Sequence, residues 1–177
     1  TFMDLSPKYV GKAIESSLRR LRIETIPLYL VHWPDNSTPL ESTLLELEKA
    51  RKSGKILNFG LSNFSSNELK KVVDKFPISA IQAPYNLAIK NSKSKKLFNL
   101  AKSKGLSIFS YGPLAQGLLS GKYDENSKFD NNDRRQRLKE FSKDNFKKSN
   151  NILKAISLLA QKKNKSLSQI AIRWCID

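Results

Sequence analysis

The sequence predicts an α/β fold built on a parallel sheet. Four short apolar runs, rich in β-branched and aromatic residues, alternate with four amphipathic helical patterns between residues 6 and 111. Proline, glycine or a capping residue bounds nearly every one of these segments. Parallel strands need a crossover between them, and helices of this length supply it in right-handed βαβ units.

Each predicted strand is a short apolar run that ends at a polar residue or a proline. The first, residues 28–31, is predicted to be buried on both faces and to stop before Pro34, which lacks a backbone N–H. The other three are predicted at residues 56–61, 78–83 and 106–111.

The predicted helices are marked by their caps and their apolar stripes. Ser6 and Pro7 open the first helix, whose buried stripe is predicted to be Val10, Ala13, Ile14, Leu18 and Leu21. The patterns Thr38–x–x–Glu41, Ser65–x–x–Glu68 and Ser166–x–x–Gln169 predict capped helix starts. A further helix runs from about Ser92 to Gly105, and another covers residues 151–163.

Residues 112–149 interrupt the alternation. This segment is polar and charged, especially over residues 124–133. Loops of such length in a compact domain usually have a function.

Composition excludes several classes of protein. The chain has 32 basic and 16 acidic residues, a formal net charge of +16. The lysines are spread over all predicted helices without zinc-ligand spacing or an RNA-binding aromatic signature, so we expect no nucleic-acid partner. No apolar run is long enough to span a membrane, and residues 1–4 have neither the basic end nor the apolar run that we would expect of a signal peptide. With Cys175 as the single cysteine, we expect a cytoplasmic protein.

Polar side chains follow the predicted strands at their carboxyl ends. These residues are His32, which is the only histidine, then Ser62, Asn63, Gln82 and Tyr111. Ligands of α/β sheets bind at that end. Each residue also has a structural interpretation: a partly buried histidine, a helix-capping pair, a buried amide and a core ring. Together they would suit a planar polar ligand that needs amide partners and a stacking surface.

Four strings in the sequence resemble the aldo-keto reductases, in that family's order and spacing. They are residues 28–34 (LYLVHWP), 54–64 (GKILNFGLSNF), 82–86 (QAPYN) and 111–123 (YGPLAQGLLSGKY). The last resembles the branch that contains the potassium-channel β subunits and many microbial reductases. The resemblance implies that residues 1–177 are a single partial domain of a (β/α)8 TIM barrel. The chain would hold the family's strands 4–7, without the first three and the eighth.

The resemblance also implies roles for residues at matching positions. His32 would be the catalytic histidine that orients the substrate carbonyl, and Trp33 would line the substrate pocket. The cofactor NADPH would be held at its carboxamide by Ser62, Asn63 and Gln82, with Tyr111 stacked on the nicotinamide ring. Residues 112–149 would form a loop covering the cofactor. The cofactor pyrophosphate would lie along Gly112, Pro113, Leu114, Ala115 and Gly117. Lys122 and Arg134 would neutralise the phosphate charge, and Arg135 or Arg137 are alternatives to Arg134.

The function implied is NADPH-dependent reduction of aldehydes and ketones by hydride transfer. The family's catalytic tyrosine, its lysine and its aspartate have no match here, so we expect this chain alone to be inactive unless another chain complements it. The alternative is a non-catalytic, cofactor-binding or regulatory subunit like the channel β subunits. A small carbonyl compound is the expected substrate, and no metal is expected.

Overall fold

The computed structural model describes residues 3–88 and 92–177. Within these ranges, helices and strands alternate along the chain as the sequence predicts. Their bounds, in chain order, are α1 Pro7–Leu21, β1 Ile26–Val31, α2 Leu40–Lys52, β2 Ile56–Ser62, α3 Ser66–Val72, β3 Ile78–Pro84, α4 Ser92–Ser103, β4 Ser107–Tyr111, α5 Lys143–Lys163 and α6 Leu167–Ile176.

The four strands form one sheet in the order β1-β2-β3-β4, and the β1–β2 and β2–β3 pairs are parallel. The β2–β3 register shifts between Phe59 and Gly60 and then pairs Ser62 with Gln82. A Cβ at Gly60 would overlap the carbonyl oxygen of Ala80, so glycine is needed for this close approach. The shift therefore decides which polar residues lie side by side at the carboxyl end.

Two of the predicted capping boxes are confirmed. Ser65 and Glu68 cap α3 reciprocally, and Ser166 and Gln169 cap α6. The third prediction is wrong: α2 has no side-chain cap, and the Thr38 hydroxyl donates instead to Asp35 Oδ2 at 2.7 Å. A nearby carboxylate accepts this hydroxyl hydrogen bond and so removes Thr38 from the helix end.

Three other local predictions need correction. The first strand is only partly buried along residues 28–30, because β1 is an edge strand of the described sheet. Leu21 is 58% exposed at the last residue of α1, where Arg22 turns the chain into the left-handed region. Helix α5 begins at Lys143, well before residue 151, and 3-10 turns occupy Ala115–Ser120, Arg134–Arg137 and Lys139–Phe141 within the predicted loop.

The described residues group into two compact units, Thr1–Ala83 with Lys93–Phe109 and Pro84–Ser92 with Ser110–Asp177. The first unit packs its helices on the sheet through fully buried side chains such as Leu44, Leu47, Phe59 and Leu69. The second has its own core, which contains Leu118, Leu119, Phe146, Ile156 and Ala171. Among the described helices, none has the length and apolar character needed to cross a bilayer.

Candidate active site

A hydrogen-bonded network joins the carboxyl ends of β1, β2 and β3 in the first unit. Ser62 is 1% exposed, and its hydroxyl donates to Gln82 Oε1 at 3.1 Å. Asn63 Nδ2 donates to Ser62 Oγ at 3.0 Å and to the His32 carbonyl oxygen at 2.7 Å. The Asn63 backbone N–H donates to the Gln82 carbonyl oxygen at 3.0 Å. The structure thus brings together four of the residues that the sequence predicts for the site.

Asn63 occupies the centre of this network because of its backbone. Its φ of +66° lies in the left-handed region, which asparagine tolerates better than most residues. The helix cap that follows is Ser65, so the interpretation of Ser62 and Asn63 as a capping pair is wrong.

Gln82 is half-buried and has one amide end engaged. Its Oε1 accepts from Ser62, while its Nε2 donates to no residue within the described ranges. A bound carboxamide oxygen could therefore accept from this nitrogen.

His32 and Trp33 follow directly after β1 and are both exposed. Their ring centroids lie 6.2 Å apart at an interplanar angle of 56°. They line an open cleft of about 660 Å³ together with Met3 and residues 34–37. The exposed ring of His32 rules out the partly buried histidine that the sequence left open.

Asp35 fixes the loop that forms this cleft. Its carboxylate accepts from the backbone N–H groups of Leu5 at 3.1 Å and Ser37 at 2.8 Å. It also accepts from the hydroxyls of Ser37 at 2.5 Å and Thr38 at 2.7 Å. These hydrogen bonds, those from Ser37 and Thr38 hydroxyls first, hold the Asp35 pKa well below its usual value.

Tyr111 and the residues predicted for the cofactor phosphates belong to the second unit. Tyr111 is 37% exposed, so it is not a core ring, and partial burial raises the pKa of its hydroxyl. Its carbonyl oxygen accepts from the Tyr85 N–H at 3.2 Å.

The chain from Gly112 to Gly117 forms a tight left-handed turn. Ala115, Gln116 and Gly117 have φ values of +47°, +58° and +98°. Leu114 precedes them at φ −94° and ψ 7°. Hydrogen bonds within the segment close the turn: the Ala115 N–H donates to the Gly112 carbonyl oxygen and the Gly117 N–H donates to the Leu114 carbonyl oxygen, both at 3.0 Å. A Cβ at Gly117 would lie 2.9 Å from the Tyr123 ring, so glycine is required there.

The three candidate arginines have different surroundings. Arg135 is held by Asp133, with Nε 2.9 Å from Oδ1, and donates to the Tyr123 hydroxyl. Its guanidinium also lies 4.9 Å and 5.0 Å from the Tyr123 and Phe129 ring centroids. Arg134 and Arg137 are exposed and form no ion pair within the described part of the chain. Lys122 is exposed as well, with Nζ 5.8 Å from the Tyr123 ring centroid.

Asn86 and Asp35 are structurally important, yet the sequence analysis assigns a role to neither of them. Asn86 is buried, and its Nδ2 donates to the Gly112 carbonyl oxygen at 3.0 Å, which fixes the start of the left-handed turn. Asp35 is the other. The pattern Asp–x–Ser–Thr after a strand is typical of an Asx turn and could have identified Asp35, whereas Asn86 has only a tertiary signal.

The chain matches a known protein family over nearly its whole length. Residues 3–177 match the model of the aldo/keto reductase family. The chain belongs to that family. It is 34% identical over 169 residues to aldo-keto reductase YhdN of Bacillus subtilis, covering 95% of this chain and 51% of the relative. It is 31% identical over 173 residues to aldo-keto reductase yakc [NADP(+)] of Schizosaccharomyces pombe, covering 96% of this chain and 51% of that protein.

Solved structures agree with this assignment to the aldo/keto reductases. The glycerol dehydrogenase AKR11B4 from Gluconobacter oxydans superposes with a TM-score of 0.93 at 36% identity, covering 99% of this chain and 54% of the other. The predicted fold, part of an aldo-keto reductase barrel, is thereby confirmed. This family member spans about half the length of the curated relatives it matches. Its described residues contain no cluster of metal-ligating side chains.

Proposed function

We propose that this chain contributes the nicotinamide-binding part of an NADPH-dependent reductase of aldehydes and ketones. The observation that carries the proposal is the Ser62–Asn63–Gln82 network at the carboxyl ends of β2 and β3, with His32 beside it. The relatives named above are reductases and a dehydrogenase, which favours an enzyme over a non-catalytic regulatory subunit. Since the chain spans half of those proteins, turnover is proposed for the complete protein.

The amide groups fit the carboxamide of the cofactor. A carboxamide has one acceptor oxygen and two N–H donors. Gln82 Nε2 is available to the oxygen, because only Gln82 Oε1 is engaged among the described residues. Ser62 and Asn63 hold the Gln82 side chain and the strand ends in place, so little ordering is needed on binding. Tyr111 supplies an exposed ring on which a nicotinamide would stack.

The second unit supplies candidates for the phosphates. The left-handed turn formed by Gly112, Pro113, Leu114, Ala115 and Gly117 would lie along the pyrophosphate, and its small residues would allow the close approach of the phosphate groups. Among the arginines, we assign the phosphate role to Arg134. Arg135 is already neutralised by Asp133, and Lys122 adds a second exposed cation. The segment 112–149 would cover the bound cofactor.

The substrate would be a small carbonyl compound in the cleft beside His32. NADPH would supply the hydride when bound. The His32 ring would donate a hydrogen bond to the carbonyl oxygen and orient it, while Trp33 would pack against the substituent. The proposed nicotinamide site can be tested without turnover, because cofactor binding is measured separately from chemistry.

The decisive experiment is a titration of the purified chain with NADPH, followed by quenching of tryptophan fluorescence. Saturable quenching that weakens in Gln82→Leu and in Tyr111→Ala, but not in Ser79→Ala at the opposite end of the β2–β3 pair, supports the proposal. A parallel titration with NADH measures the preference for the 2′-phosphate. Absence of saturable quenching in a cooperatively folded chain contradicts the proposal.

A further inference from the structure

We propose that Asp35 is a positioning residue that fixes the separation of Met3 and Trp33 in the cleft beside His32, and thereby selects carbonyl substrates with a planar apolar substituent. This inference rests on the proposed function, since it concerns the substrate end of that site. Asp35 itself has no contact assigned to the substrate; it acts through the loop and the segment that it joins.

The carboxylate joins two parts of the chain that are far apart in sequence. One oxygen accepts from the Leu5 N–H at 3.1 Å and from the Thr38 hydroxyl at 2.7 Å. The other accepts from the backbone N–H and the hydroxyl of Ser37. Three of these hydrogen bonds, from Ser37 and Thr38, hold the loop after β1 in its own conformation, and the fourth, from Leu5, ties that loop to the segment before α1. Hydrogen bonds to an ionised acceptor are short and strong.

The segment before α1, which contains Leu5, is itself held in place. The Leu5 side chain is buried, and the Leu5 carbonyl oxygen accepts from the Thr43 hydroxyl at 2.8 Å. Thr43 lies in α2 and is fully buried. The hydrogen bond between Asp35 and Leu5 therefore ties the loop after β1 to a segment that is itself anchored on α2.

Trp33 and Met3, which precede the hydrogen-bonded residues Asp35 and Leu5 in the chain, line one cleft. Trp33 is two residues before Asp35, and Met3 is two residues before Leu5. Both border the cleft of about 660 Å³ that also contains His32. The Trp33 ring is 46% exposed and presents a flat apolar face. A thioether and an aromatic ring that line the same cleft suit a planar apolar group, provided that their separation stays fixed.

The test uses Trp33 as a reporter in a Trp174→Phe background. Trp33 and Trp174 are the two tryptophans, and phenylalanine keeps an aromatic ring in the stack that Trp174 forms with Tyr85. Acrylamide quenching reports how well Trp33 is held, and no substrate is needed for that measurement. Quenching by 4-nitroacetophenone reports binding of a planar aromatic ketone, and competition by acetone reports binding of a small one.

Asp35→Ala and Asp35→Asn are compared with Asp4→Asn. Asp4 lies on the segment before α1 and accepts from the Ser6 N–H at 2.8 Å. Among the described residues it accepts no hydrogen bond from the loop after β1, so it controls for loss of one negative charge. We expect Asp35→Ala to raise acrylamide quenching of Trp33. It should also weaken binding of the aromatic ketone by about tenfold, through loss of the one hydrogen bond that ties the loop after β1 to Leu5. Acetone binding should change little, so the selectivity falls.

Two further results keep the proposal open to refutation. Asp35→Glu keeps the negative charge but not the geometry of the carboxylate, so it should not restore the selectivity for the aromatic ketone. Asp35→Asn keeps one acceptor oxygen, so its loss of selectivity should be intermediate. If Asp35→Ala lowers only the urea midpoint and leaves both the quenching and the selectivity unchanged, Asp35 is merely structural and the proposal is wrong. Failure of the wild-type chain to bind the aromatic ketone overturns it as well. The NADPH titration reports separately on the proposed cofactor site.

Discussion

Ser62 and Gln82 face each other across the β2–β3 ladder, and the Ser62 hydroxyl donates to the Gln82 side-chain oxygen at 3.1 Å. The pairing depends on the register shift earlier in the ladder, between Phe59 and Gly60. Without that shift, different residues would lie opposite each other at the strand ends. The orientation of the Gln82 amide is thus a product of strand register as well as of side-chain identity.

Ser62→Ala tests this relationship. The variant removes the donor to Gln82 Oε1 and the acceptor for Asn63 Nδ2. Loss of one orienting hydrogen bond should weaken NADPH binding by about tenfold, which corresponds to about 1.4 kcal/mol. Fluorescence titration measures the change. Ser79→Ala is the matched control, because Ser79 makes a similar cross-strand hydrogen bond to Asn58 at the other end of the ladder; equal weakening in both variants would contradict a specific role for Ser62.

Gly60→Ala should destabilise the protein by about 2 kcal/mol, as overpacking of a well-packed core does. The new Cβ would overlap the Ala80 carbonyl and approach Leu30 Cδ2 at 2.8 Å. Urea denaturation followed by circular dichroism measures this cost. In contrast, Gly11 lies inside α1, and a Cβ there would be 3.1 Å from the flexible Glu46 carboxylate. Gly11→Ala should therefore be neutral or stabilising by about 0.5 kcal/mol. A Gly60→Ala protein as stable as Gly11→Ala would refute the close-approach argument.

Asn63→Gly and Asn63→Ala separate backbone conformation from side-chain chemistry. Glycine accepts the φ of +66° without strain, whereas alanine in this region should cost about 1 kcal/mol of stability. Both variants lose the amide that donates to His32 and Ser62. We expect similar losses of NADPH affinity in both variants, but a lower urea midpoint for the alanine variant than for the glycine variant. Retained affinity in Asn63→Gly would show that the amide is not needed.

Arg134→Ala and Arg135→Ala should have opposite profiles. Arg134 is exposed, so its loss should leave the urea midpoint unchanged while it weakens NADPH binding severalfold and lowers the salt dependence of that binding. Arg135 holds Asp133 and lies over the Tyr123 and Phe129 rings, so its loss should mainly destabilise the fold. If affinity depended on Arg135 alone at unchanged stability, the assignment of the phosphate to Arg134 would be wrong.

The acid limb of the stability profile should depend on Asp35 and Asp133. Hydrogen bonds from Ser37 and Thr38 lower the pKa of Asp35, and those from Arg135 lower the pKa of Asp133, each from an ordinary value of 3.8. A lowered folded-state pKa contributes stability above pH 3.8 that is lost as the pH falls through the folded-state value. Urea midpoints measured from pH 6 down to about pH 3 should therefore fall less steeply in Asp35→Asn than in the wild type. Parallel profiles would contradict these assignments.

The sequence alone determined much of this protein. Alternating apolar runs and capped helical stripes predicted the four strands and the helices around them, because period and end signals are local properties of the chain. The string resemblance predicted the family, which the family comparison confirms. The roles of the individual site residues stay predictions.

Only the tertiary structure decided the relationships that involve distant residues. Thr38 matches a capping box in sequence, yet its hydroxyl is taken by Asp35. Arg134 and Arg135 are adjacent and chemically equal, but only Arg135 meets Asp133 and two aromatic rings. The partnership of Ser62 with Gln82 follows from the β2–β3 register, and that of Asp35 with Leu5 from the position of α1. Local sequence encodes propensity, whereas these hydrogen bonds depend on packing between segments that the chain brings together only when it folds.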